Sequence, residues 1–95
     1  PHRTHMVTLR TASSCHVVWS GETEDVSLNG MRLFSAISVP VGECVRVDCA
    51  FCSAVAVVKS VRPSDCNGRR GWQCGLEFIT LRIRRTRGGL LSALG

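Results

Sequence analysis

No stretch of this chain approaches the roughly eighteen consecutive apolar residues that a membrane-spanning helix needs. No apolar segment follows the opening Pro1-His2-Arg3-Thr4-His5 in the manner of a secretory signal. That opening reads as a cut inside a longer polypeptide, so the chain is expected to be an excised cytoplasmic domain. Aromatic residues are scarce: two Trp, three Phe and no Tyr. Small basic barrels that bind single-stranded nucleic acid display several aromatics on an open sheet face. Some of the few here are needed for a core, which argues against nucleic acid as the partner. Ser-His-Asp, Walker and H-E-x-x-H patterns are all missing, and no enzyme is expected. No internal repeat or low-complexity tract marks a second domain.

What is present suits one small core. The 95 residues are 44% hydrophobic, enough to fold without cross-links. Twelve basic residues against seven acidic give a formal charge of +5, which favours anionic partners. Arg82, Arg84, Arg85 and Arg87 cluster near the end of the chain and read first as a solvated basic tail.

Six cysteines need an account. Cys49-Ala50-Phe51-Cys52 has the C-x-x-C spacing of zinc and redox motifs, but Cys66 and Cys74 are too widely separated for a zinc knuckle. A thioredoxin-like pair opens a helix, whereas Ser53 to Val58 reads as a strand. Free cysteine behaves as a small buried hydrophobe, so the thiols are expected to pack, reduced and without metal, with zinc as the second reading.

Strand signals come in short blocks. Met6 to Leu9 alternates weakly, and Cys15 to Trp19 is β-branched and aromatic, with Ser20-Gly21 as punctuation. Glu22 to Ser27 and Met31 to Phe34 flank Asn29-Gly30, whose tolerance of positive φ predicts a tight reversal. Cys44 to Asp48 alternates, with Val45 and Val47 on one face and Arg46 and Asp48 on the other. Cys52 to Val58 is apolar throughout and predicts a strand buried on both faces. Arg62 to Gly71 reads as a long turn-rich loop, and Trp72 to Ile79 as a strand. Six or so short strands predict a mostly β, closed or split antiparallel barrel. After Gly89 the leucines predict a short helix.

The segment with most chemistry is Asp25-Val26-Ser27-Leu28-Asn29-Gly30. Strand periodicity puts Asp25 and Ser27 on one face and Val26 and Leu28 on the other. A carboxylate can accept two hydrogen bonds from the N1 and N2 donors of guanine, while a hydroxyl and backbone N–H groups suit a phosphate. The plain alternative is a hairpin whose Asp and Ser satisfy turn amides. Trp72 could stack on a base or cover a barrel end. His2, His5 and His16 have no paired carboxylate or ligand spacing. Glu22, Glu24 and Asp25 form an acidic patch without a sign of the raised pKa that catalysis needs.

The hexapeptide resembles the D/N-x-S-x-x-G motif of PilZ domains, which bind the bacterial second messenger cyclic di-GMP. Gly71-Trp72-Gln73-Cys74-Gly75-Leu76-Glu77-Phe78 is similar to that family's late barrel strand. The resemblance covers nearly the whole chain and implies a six-stranded antiparallel barrel with a short C-terminal helix: residues 1–5 as a flexible ligand-binding segment, 6–79 as the barrel and 80–95 as a partly helical extension. It implies ligand contacts from Arg3, Asp25, Ser27 and Gly30, with no other cofactor. The family's R-x-x-x-R motif is incomplete here. Arg3 stands where the second arginine belongs, position 7 is Val7, and the first would fall before Pro1. The resemblance thus implies a cyclic di-GMP receptor module acting on a neighbouring effector domain or partner protein. The alternative is a PilZ-like adaptor without nucleotide affinity that works through protein–protein interaction.

Overall fold

A computed structural model describes residues 5–13 and 18–84. They form six strands: β1 Met6–Thr11, β2 Val18–Val26, β3 Gly30–Ser35, β4 Cys44–Cys49, β5 Cys52–Cys66 and β6 Arg69–Ile83. The order β1-β2-β3-β6-β5-β4 closes into a barrel in which every neighbouring pair is antiparallel. The expected mostly β barrel is therefore present and closed. The helix expected after Gly89 lies outside the described residues.

Alternation builds the core. Val7 and Leu9 of β1, Met31 and Leu33 of β3, Val45 and Val47 of β4, and Cys74 and Leu76 of β6 point into the lumen and are buried. A one-residue slip would turn each of these sets outward, so burial fixes the register. Fully burying a side chain such as Leu9 or Leu33 contributes roughly 1.5–3 kcal/mol. Val39, from the connection between β3 and β4, is also buried and packs into the same core. The Ser35 hydroxyl donates to the carbonyl of Ile37 at 2.8 Å, fixing the path on which that connection leaves β3.

Five details differ from the sequence expectations. Ser20-Gly21 does not punctuate the chain: both lie inside β2. A Cβ at Gly21 would come within 2.7 Å of Leu33 Cδ1 and 2.8 Å of the Phe34 carbonyl, so this glycine serves close strand packing. Arg62 to Gly71 is not a long loop. β5 and β6 pair continuously to Cys66↔Arg69 around a two-residue turn, with Asn67 at φ 54° and Gly68 at φ 80°. Positive φ at both positions is the primed turn whose twist matches that of the strands. Pro63 fits because no strand flanks that half of β5 on its other side among the described residues.

Cys52 to Val58 is not buried on both faces. Cys52, Ala54, Ala56 and Val58 fill the lumen while Ser53, Val55 and Val57 are only partly covered, because a barrel wall has one inner face. β6 continues to Ile83, beyond the expected barrel end at 79, since Thr80 to Ile83 pair with Val55 to Cys52. Finally, Gly30 is absent from the positive-φ residues, which among those described are Asn67, Gly42 and Gly68. Its role is a close approach, described with the site below.

Candidate functional site

β2 and β3 are joined by a three-residue link, and the candidate residues sit at that join. Ser27 N–H donates to the Gly30 carbonyl at 2.9 Å, and Ser27 Oγ accepts the Asn29 N–H at 3.2 Å. This hydroxyl-to-backbone bond is the local competition that makes Ser favour turns over strand interiors. Across the hairpin Asp25 faces Arg32, after a bulge between Thr23 and Asp25. The Asp25 carboxylate lies 3.7 Å from the Arg32 guanidinium, and both side chains are more than half exposed. An ion pair so long and so wet contributes little to stability.

Pairing of β3 with β6 brings Leu76 and Glu77 to the same place, through Met31↔Leu76 and Gly30↔Glu77. A Cβ on Gly30 would run into the Leu76 carbonyl, so only glycine lets the two backbones meet here. The result is an open depression of about 310 Å³ lined by Asp25, Ser27, Asn29, Gly30, Met31, Arg32, Leu76 and Glu77. Glu77 also lies 3.7 Å from Lys59. The depression therefore offers two carboxylates as acceptors, one guanidinium and a polar turn. That set suits a ligand with planar N–H donors and a limited negative charge better than a bare anion.

Of the four expected ligand residues, Asp25, Ser27 and Gly30 come together, and Arg3 lies outside the described residues. Val26 and Leu28 line a second, more apolar depression with Phe51, Leu81 and Ile83, and Ser27 lines both. Arg32 was missed by sequence reasoning. A two-residue reversal at Asn29-Gly30 would set position 25 opposite 34, whereas the observed register sets it opposite 32.

The other candidates are dispersed. The acidic patch is divided among three partners: Arg69 donates to Glu22 at 2.8 and 3.0 Å, Gln73 donates to Glu24 at 3.1 Å, and Asp25 faces Arg32. Arg69 holds the Glu22 carboxyl below its usual range, chiefly through those hydrogen bonds. This is the opposite of what a general acid needs. Trp72 lines a different depression with Pro63, Asp65 and Arg70. The His5 ring meets Phe51 edge-on, 5.0 Å between centroids, while its backbone pairs with Thr23. His2 and His16 lie outside the described residues.

Among the described residues no group of three or more His, Cys, Asp or Glu side chains is arranged to hold a metal ion. No helix there is long and apolar enough to cross a membrane. Comparison of the chain with protein-family models, curated proteins and solved structures finds no match in any of the three.

Proposed function

We propose that the chain is a PilZ-like receptor module for cyclic di-GMP, working in the bacterial cytoplasm as part of a larger protein. The observation that carries this reading is the convergence of Asp25, Ser27 and Gly30 on one depression beside the β2–β3 reversal. In this reading Asp25 accepts hydrogen bonds from a guanine edge, and the polar turn at Ser27 and Gly30 receives a phosphate. Arg3 stacks on a guanine face and pairs with phosphate through its planar guanidinium. His5 pairs through its backbone with Thr23, two positions before Asp25 on β2.

A second reading has its own support. Ser27 Oγ already accepts the Asn29 amide and Asp25 already faces Arg32. A turn satisfied in this way serves equally in an adaptor that has no nucleotide affinity.

Calorimetric titration of cyclic di-GMP into the chain and into Asp25→Ala separates the two. Loss of one charge-assisted hydrogen bond should weaken binding by about 1.5–3 kcal/mol, with unchanged circular dichroism. Raised salt should weaken it further. Equal affinity in the two chains would remove Asp25 from the site, and no binding by either would favour the adaptor.

A further inference from the structure

Five free cysteines are described, and only two of them are neighbours. Cys44, Cys66 and Cys74 face Val57, Arg69 and Val61 across their strands. Cys49 and Cys52, by contrast, flank the two-residue link between β4 and β5, just beyond the pair Asp48↔Ser53. A disulfide accepts Cα atoms roughly 4.4–6.8 Å apart, and continuing the Asp48↔Ser53 register by one position would set these two residues opposite each other. Their sulfurs are already 3.4 Å apart.

We propose that Cys49 and Cys52 are a thiol–disulfide exchange site that closes reversibly into an intrachain disulfide on meeting a low-molecular-weight disulfide. The two thiols differ in access. Cys52 is fully buried in the barrel core, and burial pushes its thiol up to about 12. Cys49 is only partly covered, and the Arg84 side chain holds the turn beside it, donating to the Cys49 carbonyl at 3.0 Å and to Asp48 at 2.9 Å. Cys49 is therefore the attacking group and Cys52 the resolving one.

Cys49 releases its proton to solvent, and its thiolate attacks one sulfur of the small disulfide. The S–S bond of the reagent breaks, and its other half leaves as a thiolate and takes up a proton. Cys52 then loses its proton and attacks Cys49 Sγ, forming the Cys49–Cys52 bond and releasing the second half of the reagent as thiol. Two protein thiols are oxidised and one small disulfide is reduced to two thiols. A metal cage is the weaker use of this pair, since the described residues supply no third ligand.

The test is incubation of the folded chain with oxidised glutathione in the presence of a chelator, followed by alkylation of free thiols and tryptic mapping. Cleavage after Arg46 and Lys59 leaves both cysteines in one peptide, residues 47–59. That peptide should lose the mass of two hydrogens and resist alkylation, and dithiothreitol should reverse both changes. In the reduced chain Cys49 should alkylate at least about tenfold faster than Cys52. Cys52→Ala should instead hold a lasting glutathione adduct on Cys49, and Cys49→Ser should leave residue 52 reduced. A lasting adduct on Cys49 of the unsubstituted chain, or linkage to another cysteine in place of Cys52, would overturn the proposal, and neither outcome depends on the two substituted chains folding.

Discussion

Gly30 illustrates how a single residue can be read correctly in type and wrongly in cause. A glycine at the end of an Asn-Gly pair suggests a positive φ, yet the backbone there is ordinary and the constraint is the Leu76 carbonyl of a strand far away in sequence. Gly30→Ala should therefore destabilise the fold by about 1–3 kcal/mol, the usual cost of forcing atoms into a filled space. The melting temperature should fall by roughly 4–8 °C for each kcal/mol in a domain of this size. An alanine variant melting within about 2 °C of the parent would show that β3 and β6 can separate cheaply here. Ser27 carries a similar lesson: to donate to a ligand its hydroxyl must leave the Gly30 carbonyl, 3.5 Å away, while it can keep the Asn29 amide.

At the scale of elements, side chains of β6 clasp the long β5–β6 hairpin to β2, Gln73 on Glu24 and Arg69 on Glu22. Arg69, at the start of β6, holds Glu22 of β2 with two hydrogen bonds and lies 5.2 Å from the centre of the Phe34 ring. Because the Glu22 carboxyl is held below its ordinary value of 4.5, the folded state favours the carboxylate. The contribution is then complete above pH 4.5 and is lost as pH falls through the lowered value. Arg69→Gln should melt below the parent at neutral pH, with the gap closing on acidification. The pair is solvent-exposed, so the gap should be small and should shrink in salt. A gap that stays constant from about pH 7 to about pH 3 would assign the effect of Arg69 to its packing on Phe34 rather than to its charge.

For the molecule as a whole, the six strands close into one ring around a single apolar core, and the composition predicts that this core folds without metal. Thermal melts with and without a strong chelator should superimpose. A fall of more than about 10 °C on chelation, worth over a kcal/mol here, would mean that the cysteines hold a metal. Reductant is a separate variable, because the Cys49–Cys52 pair is proposed to change state with it.

The amino-acid pattern by itself determined that the chain is mostly β and forms a barrel. Alternation in Val45-Arg46-Val47-Asp48, the β-branched run before Val58 and the turn residues between such blocks are local properties that a short segment displays alone. It also determined which residue types could form a site at Asp25 to Gly30, because a strand end and a turn are local too. Only the tertiary structure decided what depends on partners. Pro63 and the turn-forming residues around it look like a loop until β6 is seen to pair with them as far as Cys66↔Arg69. Ser20-Gly21 looks like a break until Leu33 and Phe34 are seen to press on Gly21. The addition of Arg32, Leu76 and Glu77 to the candidate site, and the meeting of Cys49 with Cys52, follow from register across strands. Register is set by which faces can be buried together, and no single segment carries that information.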